Sequence, residues 1–264
     1  YQKIIKRSVI FSSINNLNKS MDINLWITPF KKQIPNNYIK LGPKEINSGS
    51  SGGLPDTIDI WRNEELTKLL LHESYHNLDL DSKMESYLNL VNQIKDRSDI
   101  SNSTQILINE SITEISAVIV NCILCSIESN LGFNEFIEYL DLERKYSLFQ
   151  VAKILLHFGY QTADDFFNPK EKKYLFSQST SVFSYFLVKT AILYNLDVYI
   201  VFFRKNFDRF KVNLKLIDKL EELLYTLIYD KEYIREIDRY IGIVRNSKFK
   251  DNIKNTLRMT CISS

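Results

Sequence analysis

A chain of 264 residues, 44% hydrophobic and 25% charged, can bury a sizeable core, as one large domain or as one plus a helical extension. Its formal net charge of +2 gives no electrostatic footprint for nucleic acid, and no run of about 18 uncharged apolar residues marks a membrane span. With only seven glycines and five prolines, long segments run uninterrupted, so helix should dominate.

In chain order, DINLWITPF (22–30) alternates apolar and polar residues and predicts a strand. NSGSSGGLPD (47–56) reads as a mobile loop, and TIDIW (57–61) as a short strand. Asn63 is the expected N-cap of a helix over 64–78, with Glu64 and Glu65 suiting its positive end. Polar DRSDISNST (96–104) leads into a helix over 105–128, and further helices are expected at 133–144, 146–158, 179–195 and 213–229. Lys170 to Lys173 is a solvated charge run. The expected fold is α+β and mostly α: an N-terminal part, 1–130, with a small sheet packed on a site helix, then a helical lobe, 131–264. A single compact domain is the alternative.

The three cysteines are Cys122, Cys125 and Cys261. An odd count without framework spacing suits a reducing, intracellular compartment. Cys122 and Cys125 form a C-x-x-C inside an apolar helical run and are expected to be packing cysteines. No secretory signal opens the chain, and a start at Tyr1 rather than Met is expected of a fragment or trimmed product that lost a segment upstream. The Asn-, Lys-, Ile- and Tyr-rich composition suggests an AT-rich genome, such as that of a large DNA virus or a low-GC microbe.

Residues 71–80, LHESYHNLDL, hold two of the three histidines four apart. Side chains at i and i+4 share a helix face, so His72 and His76 can take two corners of one tetrahedral zinc site. Glu73 lies about 100° around the helix. There it stands beside a metal rather than on it, where a carboxylate can take a proton from water.

The segment QILINESITEISAVIVNC (105–122) is apolar nearly all round, as in a buried helix, yet carries Glu110 and Glu114 on one face. Buried carboxylates need a partner, and no Lys or Arg occurs between residues 98 and 143. A cation from elsewhere, or protonation, is required. A zinc ion and its histidines are the expected source.

HESYH followed by NESITE resembles the gluzincin, or thermolysin-like, class of zinc peptidases, whose pattern is H-E-x-x-H, a variable insert, then N-E-x-x-x-D/E. The insert here is 33 residues, and the resemblance covers about 57–125. It implies one zinc per chain held by His72, His76 and Glu110. It also implies Glu114 orienting His72 and Asn109 bracing His76. Glu114 stands where Asp is common. A metzincin pattern fits worse, since Asp79 and Ser82 stand where it needs Gly and His or Asp. Asp79, Asp81 and Glu85 are rival third ligands.

The resemblance further implies an edge strand that pairs with extended peptide, the place that TIDIW would fill, with the 48–53 loop as a flap or a plain surface linker. It implies a Tyr or His oxyanion donor from the C-terminal lobe. Tyr185, in a patch of Ser and Thr on an apolar helix, is favoured over His157 and Tyr160. The expected function is zinc-dependent hydrolysis of a peptide or protein substrate, with Glu73 as base. The alternatives are a catalytically inactive zinc-stabilised structural or binding descendant and a toxin-like protease domain.

Overall fold

The computed structural model describes residues 2–15, 20–53, 56–81, 87–206 and 214–262. It shows a mostly helical α+β fold with one three-stranded sheet. The strands are β1 (Asp22–Thr28), β2 (Gly49–Ser51) and β3 (Thr57–Arg62). β3 is central, parallel to β1 through Asp22↔Thr57 to Leu25↔Ile60, and antiparallel to β2 through Gly49↔Ile60 and Ser51↔Ile58. Ile58 and Ile60, two apart and so on one face, are fully buried with Leu69 and Leu70 of α3 (Leu66–Asn77) and Ile4 of α1 (Gln2–Ile14).

Two expectations about this region are corrected. The segment 47–56 is not all loop, because β2 lies within it. The strand TIDIW is therefore not the edge: β2 is. The physical reason is close packing. A Cβ on Gly49 would lie 2.9 Å from the Asp59 carbonyl oxygen and 3.2 Å from Leu69 Cδ2, so the glycine permits a near approach of backbones.

α3 begins two residues later than the expected 64, and Asn63 does not cap it. The cap position belongs to Glu65, left-handed at φ 60° and without a side-chain cap bond. Its carboxylate is occupied elsewhere: it pairs with Lys32 at 2.7 Å and accepts the amides of Met259 and Thr260 at 2.6 and 2.7 Å.

The remaining helices are α2 (Pro43–Ile46), α4 (Leu88–Arg97), α5 (Ile108–Glu128), α6 (Phe133–His157), α7 (Asp164–Phe167), α8 (Lys189–Tyr194), α9 (Leu196–Asn206), α10 (Ile217–Ile228), α11 (Lys231–Asn246) and α12 (Asp251–Lys254). A π-helical turn, Phe183–Val188, runs straight into α8. The two helices expected at 133–144 and 146–158 are one continuous α6. No Gly or Pro interrupts it, and Asp141, Arg144 and Lys145 pair along its exposed side. α1, α4, α9 and α11 were not expected. α1 is fastened by Arg7, which reaches Asn121 at 2.7 Å and Glu128 at 2.8 Å on α5.

α5 is the central helix, packed against α3, α6 and the π turn. By length and composition it is apolar enough to cross a membrane, but 78% of that window is buried inside the fold. Cys122 packs there with Val118 and Leu140, and burial pushes its thiol up. The three cysteines are free. One apolar cluster joins Leu41, Ile46, Ile112 and Ile115 with Leu148, Phe183, Leu224 and Ile237, so both halves of the chain share it.

Candidate metal centre

The antiparallel approach of α3 and α5 brings two distant motifs together. His72 and His76 leave one face of α3, and Glu110 leaves the first turn of α5. His76 Nε2 lies 3.2 Å from His72 Nε2 and 3.2 Å from Glu110 Oε2, and His72 Nε2 lies 3.4 Å from the same oxygen. A tetrahedral centre with bonds of about 2.0–2.1 Å has edges of roughly 3.3–3.4 Å. The donor triangle matches that size. Among the described residues it is the one group of three or more such side chains able to hold a metal.

The opposite ring nitrogens face carboxylates. His76 Nδ1 is 2.9 Å from Asp81 Oδ2, and His72 Nδ1 is 2.9 Å from Glu114 Oε2. The second contact is close but not aligned as a hydrogen bond. Each carboxylate favours the hydrogen on Nδ1, which leaves both Nε2 lone pairs converging on a carboxylate oxygen. Three acceptors at this spacing require a cation or extra protons between them. That donor chemistry fits zinc.

Electrostatics follow from the same contacts. Burial pulls the His72 imidazole down, but Glu110 and Glu114 more than reverse it, and its pKa is raised. For His76, burial is likewise outweighed by Asp81 and Glu110, and its pKa stands well above the ordinary value. Burial works against the charge of Glu110, yet the two imidazoles hold its carboxyl far below the usual range. Burial also opposes ionisation of Glu114, but Lys68 and His72 bring it down to about 2.

Two details differ from expectation. Asn109 hydrogen-bonds Asp81 rather than His76: its Nδ2 donates to Asp81 Oδ2 at 3.2 Å, so it holds the carboxylate that faces His76. Asp81 is thus the partner of His76, outside the donor triangle. The cation facing Glu114 is Lys68, whose Nζ lies 2.8 and 2.9 Å from its two oxygens. The premise that zinc and histidines must neutralise both buried glutamates therefore fails for Glu114. Lys68 stands four residues before His72 on the same helix face but 46 residues from Glu114 in the chain, so no local pattern pairs them.

The triangle opens on a cleft of ≈760 Å³ lined by Glu73, Asp56, Asp79, Tyr185 and residues 49–52, among others. Glu73 is buried beside the triangle without being part of it. Tyr185, presented by the π turn, donates its hydroxyl to Glu110 Oε2 at 2.9 Å and lies edge-on to His72. Burial and the neighbouring Glu110 and Glu73 push its pKa well up, so it is a neutral donor. π turns concentrate at functional sites. The other two candidates are elsewhere. Tyr160 bonds Asp99 at 2.7 Å in the core, and His157 stacks on Tyr38 with Nε2 3.2 Å from the Ile39 carbonyl. Asp79 lines the cleft but is not in the triangle, and Glu85 lies outside the described residues.

No family model and no solved structure matches the chain. It is similar to the uncharacterized protein R210 of Acanthamoeba polyphaga mimivirus, 27% identical over 212 residues, covering 75% of this chain and 50% of that protein. The chain thus spans about half the length of this relative. A viral relative agrees with the origin that the composition suggests.

Proposed function

We propose that this chain is a zinc peptidase of gluzincin type. The observation that supports it is the convergence of His72 Nε2, His76 Nε2 and Glu110 Oε2 at 3.2–3.4 Å beside Glu73, on the floor of an open cleft. A zinc ion held there would supply a Lewis acid that polarises a peptide carbonyl and acidifies water. Glu73, outside the donor triangle, takes the proton from the attacking water and returns it to the leaving amine. Tyr185 donates its hydroxyl to the developing oxyanion. Asp81 and Glu114 keep hydrogen on the two Nδ1 atoms, leaving Nε2 free as the donor.

The substrate side is the sheet edge. Gly49 to Gly52 line the cleft, and β2 is an edge strand among the described residues, to which an extended peptide can add as a strand. Among the described residues, the cleft lining contains no aliphatic side chain and no Lys or Arg. Recognition there rests on backbone hydrogen bonds more than on apolar pockets. The free thiols suit a reducing, intracellular setting.

A paired assay tests the reading against a zinc-stabilised relic. Glu73→Gln keeps shape and removes the base. Wild type should carry zinc and cleave a broad peptide pool. Glu73→Gln should carry the same zinc and lose at least ~10²-fold in rate, the lower range for general-base loss. Wild type fully loaded yet inert would sink the enzyme reading.

A further inference from the structure

Lys68 sits one helical turn before His72, so both side chains leave the same face of α3. It is fully buried, with its ammonium across both oxygens of Glu114 at 2.8 and 2.9 Å. Glu114 Oε2 is in turn 2.9 Å from His72 Nδ1. The contact between Glu114 and His72 is not aligned as a hydrogen bond. The firmer hold on this carboxylate is therefore the lysine, which grips it at two points and fixes its plane.

The neighbouring cations are committed elsewhere. Lys32 pairs with Glu65 at 2.7 Å, and Lys189 donates to Ser147 Oγ at 2.8 Å and the Met259 carbonyl at 2.9 Å. Lys189 adds attraction to Glu114 at longer range. The chain Lys68–Glu114–His72 thus runs from the buried interior to the first donor nitrogen. It closes a loop, because its two ends stand on one helix. Any rotation of α3 about its axis moves ammonium and imidazole together, while Glu114 on α5 is held between them.

We propose that Lys68 is a positioning residue for the metal centre, acting through Glu114 on the orientation of His72. This rests on the reading of the cluster as a zinc site. A purely structural ion pair would lower stability without setting the affinity of the donors. A positioning lysine sets that affinity, and does so only while Glu114 is a carboxylate.

The test measures zinc affinity by chelator competition, and the visible spectrum of the cobalt-substituted protein, for wild type, Lys68→Met, Glu114→Gln and the double variant. Losing a supporting contact of a metal ligand typically weakens binding by ~10–100-fold. Lys68→Met should fall in that range and shift the cobalt spectrum in the same direction as Glu114→Gln. The double variant should bind no more weakly than Glu114→Gln alone, because the two residues act as one unit. Wild-type affinity in Lys68→Met, or additive losses in the double variant, would overturn the inference. If Lys68→Met does not fold, Lys68→Gln, which keeps a hydrogen-bond donor beside Glu114, decides: weakened affinity with a shifted cobalt spectrum carries the inference, and wild-type affinity overturns it. A wild-type chain that binds neither metal overturns the zinc reading, and this inference with it, and is told apart by the wild-type sample alone.

Discussion

His72 and His76 each turn Nε2 inward and Nδ1 toward a carboxylate, and that division governs how the centre responds to protons. Zinc needs both Nε2 lone pairs free, so protons compete with it. Because both imidazole pKa values are raised, zinc affinity should begin to fall at a pH above the ordinary imidazole value of 6.5 and keep falling below it. Chelator competition across pH checks this; an affinity flat down to pH 6 would contradict it. Without metal the signs differ by group. The raised histidines stabilise the fold below 6.5 and lose that effect as pH rises through their folded values. Glu114, held at about 2, stabilises above 4.5 and loses it as pH falls toward 2. The metal-free chain should therefore gain most from these groups between about 4.5 and 6.5, read by thermal unfolding with chelator present. Asp81→Ala should weaken zinc binding by ~10–100-fold, and Asn109→Ala by less, since Asn109 acts only through Asp81. At this scale the sequence made His72, Glu73, His76 and Glu110 legible, because i,i+4 spacing and a charged pair on an apolar helix carry meaning locally. Asp81 was legible only as a rival third ligand; that it faces His76 Nδ1 from outside the triangle carries no signal in so polar a segment.

Among the elements, α3 and α5 carry the donors, whereas β2 and the π turn, which add the cleft edge and Tyr185, were least readable. Glycine and serine at 47–53 signal a loop in any local reading, yet Gly49 lies where a Cβ would press on the backbone of Asp59 and on Leu69 Cδ2 and touch Glu73 Cγ at 3.4 Å. Gly49→Ala should cost about 1–3 kcal/mol, the range for overpacking, and should lower cleavage more than zinc content, since it displaces the strand edge and Glu73 rather than the donors. Equal stability and activity in Gly49→Ala would contradict the placement of β2. The π turn left no sequence signal beyond the Ser and Thr cluster around Tyr185, because an extra residue per turn changes no residue type. The helices expected over 105–128 and 213–229 correspond to α5 and α10, whereas the equally amphipathic α4 and α11 were missed. The break expected at Lys145 is absent from α6, where a continuous helix accommodates the surface charges by pairing at i,i+3 and i,i+4.

Over the whole molecule, the segment 256–262 ties the start of the site helix to the C-terminal helices. Glu65 accepts the amides of Met259 and Thr260; Glu143 accepts those of Cys261 and Ile262 at 3.0 and 2.8 Å; Lys189 and Gln150 bind the carbonyls of Met259 and Arg258. These partners lie up to 195 residues apart in the chain, which no local pattern reveals. Removing residues 257–264 would leave Glu65, Glu143 and Lys189 buried with lost partners, so the truncated chain should unfold at lower temperature and hold zinc poorly, checked by calorimetry and metal content. Retained stability would show that the segment is merely laid on the surface. The claim on which the rest depends is that His72, His76 and Glu110 bind one zinc ion. Elemental analysis of the purified chain, beside a His72→Ala/His76→Ala variant, measures it directly. The account predicts one zinc per wild-type chain and none in the variant; a folded wild-type chain that carries no zinc and cannot be reconstituted with it would contradict the account.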